Sequence, residues 1–121
     1  FAGDKQPGIR VRRILGTQRD ATDAEILTHF LTELRGIGGN SRAYWRGSLV
    51  LVTADGACVS GDLSFDVLLT TVASGQTQAG APLDPIMIDP ATGRCYAELS
   101  YEERPDVQLV RQFLVQNLHR L

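Results

Sequence analysis

Apolar side chains recur at three- and four-residue spacing through Ile26, Leu27, Phe30, Leu31, Leu34 and Ile37. This period predicts an amphipathic helix with one buried stripe. Thr22-Asp23-Ala24-Glu25 stands just before it and reads as a capping box: the threonine hydroxyl accepts from the third helical amide, and the glutamate reaches back to the cap. Gly36, Gly38 and Gly39 end the helix, and His29 falls on its polar side, where a solvated ring is expected. The pattern then changes. Ala43 to Val52 is rich in aromatic and branched residues, Asp55-Gly56 is a strong turn signal, and Cys58 to Leu69 returns, which predicts a long hairpin. Tyr44 and Trp45 are adjacent, so they face opposite sides of it and are expected to pack rather than to stack on a ligand.

The remaining chain is more broken. Residues 1–8 are turn-rich, Ile9, Val11 and Ile14 punctuate a basic stretch with Arg10, Arg12 and Arg13, and Gly16 to Asp20 reads as loop. Thr70 to Leu83 is a loop rich in glycine, threonine and glutamine. A short strand is expected over Ile86 to Ile88, a turn over Asp89 to Gly93, and another strand over Arg94 to Leu99. Ser100-Tyr101-Glu102-Glu103 offers a second capping box, but Pro105 cannot donate within a helix. The last helix is therefore expected from Pro105, with Val107, Val110, Phe113, Leu114 and Leu118 inward. Helix, hairpin, strand pair and helix make an α/β or α+β domain, a single one over residues 1–121, with no internal repeat.

Composition narrows the partners. The chain has 121 residues, 43% of them hydrophobic, and a formal charge of −2, so no overall field draws in nucleic acid or a membrane surface. Its basic residues are eleven arginines and the single Lys5, which suits fixed anion contacts better than a diffuse basic surface. Cys58 and Cys95 have no metal-ligand spacing and are expected as two buried reduced thiols, a cross-strand disulfide being the alternative. No apolar run approaches the ~20 residues of a membrane span and no signal segment opens the chain, so a cytoplasmic location is expected. With Met87 as the single methionine, the chain is expected to be a processed product or part of something longer.

Pro7-Gly8-Ile9, Ala21-Thr22-Asp23, Asp84-Pro85-Ile86-Met87, Ala97-Glu98-Leu99-Ser100 and Glu102-Glu103-Arg104 follow one another in this order. Together they resemble the inosine/xanthosine triphosphate pyrophosphatase family, over nearly the whole chain but only the later two-thirds of the family's domain. Gly61 falls where the family's long strands carry a glycine. The resemblance implies a mixed twisted sheet with a long central hairpin and flanking helices, commonly in a homodimer. It implies cleavage of non-standard purine triphosphates (ITP, dITP, XTP) to the monophosphate and pyrophosphate, with Mg2+ to neutralise charge and orient water.

The working residues are altered. The family's threonine-glycine-asparagine phosphate loop and its acidic aspartate-serine/threonine-glycine motif do not occur here, so the resemblance places no Mg2+ ligand in this chain. The family's phenylalanine-glycine-tyrosine/tryptophan-aspartate-proline run is represented by Ala81-Pro82-Leu83-Asp84-Pro85, which keeps the aspartate and loses both aromatics. A stacked aromatic contributes roughly 1–3 kcal/mol per base. The serine-histidine-arginine that grips the purine aligns with Gln108-Leu109-Val110, and a family lysine becomes Arg104. Candidate nucleotide-binding residues are thus Arg12, Arg13, Gly80, Asp84 and Arg104, with no metal ligand and no assigned catalytic group. Other readings stand beside these: Asp84 starts a turn, Arg12 and Arg13 are a solvated edge, Arg104 is a surface charge, and Glu98, Glu102 and Glu103 complement a helix dipole rather than bind metal. Low turnover by this chain is expected. The alternative function is a non-catalytic nucleotide-binding or protein-interaction module, its pocket lined by Leu83, Leu109 and Val110.

Overall fold

A computed structural model describes residues 8–13, 15, 16 and 19–120, apart from the side chains of 8–10. Pro7 and Ile14 therefore lie outside the described residues. A six-residue 3-10 turn, Gly8–Arg13, leads to helix α1, Asp23–Gly36. The capping box forms as expected: Thr22 Oγ1 accepts from the Glu25 amide at 3.2 Å and Glu25 accepts from the Thr22 amide at 3.1 Å. Ile26, Phe30 and Leu34 are buried. Ile37, expected on the same stripe, is exposed because it caps the helix, its amide bonded to the Leu34 carbonyl, as the chain turns through left-handed Gly38 and Gly39.

Strands β1, Asn40–Val52, and β2, Cys58–Thr70, form the hairpin, paired antiparallel along their whole length. Its tight end is held by the Thr53 amide on the Ala57 carbonyl and by Gly56 at φ +86°. A two-residue strand β3, Met87–Ile88, adds antiparallel beside Leu68 and Leu69, giving the order β1-β2-β3. Alternation is strict along most of the hairpin. One face carries Ala43, Trp45, Phe65, Val67 and Leu69 toward the core, and the other exposes Tyr44, Val50 and Val52. The Trp45 indole N–H points to the Met87 sulfur at 3.2 Å. Cys58, expected buried, is exposed because it stands opposite Val52 on the outward face; Cys95 is buried, and both thiols are free.

The segment after the Asp89–Gly93 turn is not a strand. Ile88 and Cys95 make one isolated bridge, and Tyr96–Glu98 then coils as a 3-10 turn. Past Cys95 the Glu98 amide bonds the Cys95 carbonyl and the Leu99 amide the Tyr96 carbonyl, local bonds that coil the segment in place of a strand ladder. The second capping box forms over the 3-10 turn Tyr101–Glu103, and helix α2 runs Pro105–Asn117. Val107, Val110 and Phe113 are half-buried, whereas Leu114 and Leu118, expected inward, are exposed. The face that α2 turns to the hairpin is Leu109, Phe113 and Asn117, so Leu114 lies a third of a turn away and Leu118 follows the helix end. No helix among the described residues is long and apolar enough to cross a membrane.

Both helices cover the same face of the hairpin. The core gathers Ile26, Phe30 and Leu34 of α1, Val67 and Leu69 of β2, and Leu83, Ile86, Met87 and Tyr96. Farther along, Phe113 rests on Gly61, its ring 2.7 Å from where a Cβ would sit. Gly61→Ala must push that ring aside and is expected to destabilise the fold by about 1–3 kcal/mol. Phe113→Leu in the same chain should recover part of the loss, a coupling that urea unfolding of the double-mutant cycle measures.

Two Arg19 nitrogens also reach Glu25, at 2.9 and 3.0 Å. The Arg19 hydrogen bonds and then those of Thr22 lower the Glu25 carboxyl from its ordinary 4.5 to about 2. A lowered carboxylate stabilises the fold above its unfolded pKa and loses that contribution as pH falls through the folded one. Thermal melts are therefore expected to show Glu25→Gln flattening the stability profile between pH 4.5 and 2.

Candidate functional site

Leu83-Asp84-Pro85-Ile86 tightens into a 3-10 turn, with proline's fixed φ suited to its start and the Ile86 amide bonded to the Leu83 carbonyl at 2.9 Å. This turn buries Asp84, which is 5% exposed. Arg104 sits just before Pro105 at the head of α2 and meets Asp84 with two nitrogens, at 2.8 and 3.4 Å. Its Nε lies 3.4 Å from Asp106. The guanidinium is centred 5.6 Å above the Tyr96 ring, and Tyr96 stacks in turn on Phe65 at 6.1 Å. Burial opposes the Arg104 charge, but the hydrogen bonds and charge of Asp84 outweigh it and raise the pKa above the ordinary value. Burial, reinforced by the charge of Asp89, pushes the Tyr96 phenol up, and its hydroxyl has no hydrogen-bond partner among the described residues. The Cys95 thiol, raised by burial, donates to the carbonyls of Asp84 and Pro85 at 3.2 and 3.4 Å. Two of the sequence candidates, Asp84 and Arg104, are thus one unit.

Arg12 and Gly80 form a second unit, through a residue that sequence reasoning missed. Asp23 accepts from Arg12 at 2.6 Å and from the Gly80 amide at 2.8 Å, while Arg12 also donates to the Gly80 carbonyl at 3.1 Å. The Arg12 hydrogen bond, then that of Gly80, holds the Asp23 carboxyl below its ordinary range. Arg13 instead pairs with Asp20 at 2.8 Å on the surface. The two units are joined by the run Gly80–Asp84, four residue steps or about 14 Å at full stretch. No sequence signal marks Asp23 for this contact, because its partner lies 57 positions away. Tyr96 and Cys95 were likewise invisible as supports.

Other candidates stay apart. Glu103 accepts from the Ser100 amide at 3.0 Å and pairs with Arg94, while Glu102 lies 3.6 Å from Arg111. Among the described residues no three His, Cys, Asp or Glu side chains are placed to hold a metal. A cavity of about 350 Å³ opens between α2 and the hairpin, lined by Leu109, Phe113, Gly61 and Leu49 among others. Leu83 and Val110 do not line it; Leu83 is in the core.

Solved structures decide the fold. A nucleoside-triphosphatase / dITP/XTP pyrophosphatase from Mycobacterium abscessus matches at TM-score 0.64 and 27% identity, over 93% of this chain and 58% of that one. The fold is that of the inosine/xanthosine triphosphate pyrophosphatase family. A HAM1 protein from Coxiella burnetii (TM-score 0.65, 21% identity, 92% of this chain and 59% of that one) shares it. So does the Staphylococcus aureus Ham1 protein (TM-score 0.64, 21% identity, 93% and 59%). The chain spans less than two thirds of the length of these pyrophosphatase-fold relatives. No family model and no curated protein matches it.

On this pyrophosphatase fold, Asp84 depends on Arg104 for its only ion pair among the described residues. Arg104→Ala strands a buried carboxylate and is expected to cost about 3 kcal/mol in chemical unfolding. Arg104→Lys should restore only part, because an ammonium lacks the planar fork.

Proposed function

We propose that this chain binds a purine nucleoside triphosphate along the run Gly80–Asp84, as the later part of a pyrophosphatase domain acting on ITP, dITP or XTP. The observation that carries the reading is the Asp84–Arg104 pair, an acceptor and a donor held side by side at 2.8 Å. A 6-oxopurine edge offers a C6 carbonyl acceptor beside an N1–H donor, the complement of that pair. Adenine offers an amino donor and a bare nitrogen, which reverses the polarity. Arg104, whose side chain is 20% exposed, is the member that reaches outward. Arg12 and Arg13, both partly exposed at the start of the chain's described region, supply cations for the phosphates. The likeness to the Mycobacterium abscessus dITP/XTP pyrophosphatase supports this substrate class.

The family's hydrolysis uses Mg2+, and among the described residues no three His, Cys, Asp or Glu side chains gather to hold a metal. Low turnover by this chain is part of the proposal, and a non-catalytic nucleotide-binding or interaction module on the same fold is the second reading. Self-association into a homodimer in the cytoplasm completes the proposal, since β1 offers a thirteen-residue edge unpaired by any described strand. Calorimetry with ITP, XTP and ATP in Mg2+, alongside pyrophosphate release, tests it. Micromolar binding of ITP and XTP over ATP, abolished by Asp84→Ala in a chain that still melts cooperatively, with little pyrophosphate formed, is the expected result. Absence of binding refutes the nucleotide reading. Rapid pyrophosphate release refutes the low-turnover reading.

A further inference from the structure

We infer that Asp23 is a positioning residue, which holds the run Gly80–Asp84 at its outer end without touching nucleotide. The inference rests on the reading of that run as the purine site. Asp23 binds the Gly80 amide with one carboxylate oxygen and Arg12 with the other, and Arg12 closes the ring on the Gly80 carbonyl. Both backbone polar groups of one residue are thereby held by side chains. Gly80 is at φ +83°, a conformation that resists side chains and gives the run a defined turn at that point.

The support for Asp23 is itself rigid. Asp23 is the first residue of α1, fixed by the capping box on one side and by fully buried Ile26 on the other. The Arg12 carbonyl also accepts from the Ala21 amide at 2.6 Å, which ties the Arg12 arm of the clamp to the segment that leads into α1. The inner end of the run is held separately, by Arg104 and the Cys95 thiol on Asp84. Residues 75–80 before it are exposed. The clamp at Gly80 is thus where exposed loop becomes a wall fixed at both ends.

The sign of the effect separates positioning from simple charge. Asp23 is an anion beside a proposed triphosphate, so by charge alone its removal tightens binding. Positioning demands the reverse. Asp23→Ala is expected to speed amide hydrogen exchange at Gly80 by about tenfold, the scale of one charge-assisted hydrogen bond, and to weaken ITP binding in Mg2+ by a similar factor. Exchange within β1 and β2 should stay unchanged. Asp23→Asn keeps an acceptor for the Gly80 amide and should lie between the two, and Arg12→Ala should speed Gly80 exchange less than Asp23→Ala. These two variants also carry the test if Asp23→Ala does not fold. Unchanged exchange at Gly80 in the folded variants overturns the inference, and so does tighter ITP binding. If the wild-type chain binds no ITP, the proposed function alone falls, and Gly80 exchange still decides whether Asp23 holds the run.

Discussion

Arg104 and Asp84 meet across twenty positions of sequence, and their pairing fastens the head of the last helix to the turn that starts β3. A carboxylate buried this deeply requires a partner with several donors in a plane, and a guanidinium supplies them. Tyr96 gives the guanidinium a floor and Phe65 of β2 gives Tyr96 a floor in turn. The stack ties the charged pair to the hairpin. Without it the turn at Asp84, the thiol contact of Cys95 and the packing of Ile86 would have no common reference.

From that anchor the polar architecture extends in one direction, along Gly80–Asp84 to the clamp made by Asp23 and Arg12. The two ends differ in character. The Asp84 end is buried and backed by aromatic rings, whereas the Asp23–Arg12 pair is about two-fifths exposed and is weakened more readily by solvent. A run fixed firmly at one end and lightly at the other suits a binding edge that must present backbone and side-chain groups together.

Leu83 is absorbed into the core beside Ile86 and Met87. Leu109 lines the cavity between α2 and the hairpin together with Gly61 and Phe113, and Gln108 reaches the Glu102 carbonyl at 3.4 Å. Leu83 thus serves packing, whereas Leu109 stands at a cavity wall. Asp84 and Arg104 pair with each other within the fold.

Much of the fold was legible in the chain alone, because its signals are local. The capping box at Thr22 and Glu25, the buried stripe through Ile26, Phe30 and Leu34, and the turn at Asp55-Gly56 each reside within a few residues. Spacing and turn chemistry therefore determined α1, the hairpin and the start of α2 at Pro105. The segment from Arg94 to Leu99 carries a strand's pattern yet coils, because burial of both Cys95 and Tyr96 depends on surfaces supplied from elsewhere. Residue types also marked Asp84, Arg104, Gly80 and Arg12 as polar candidates, yet not who would hold whom. That was decided only when folding brought positions 23 and 80, and 84 and 104, within hydrogen-bond reach. Periodicity encodes which face of an element is buried, but a charge finds its partner only through the packing of elements that are distant along the chain.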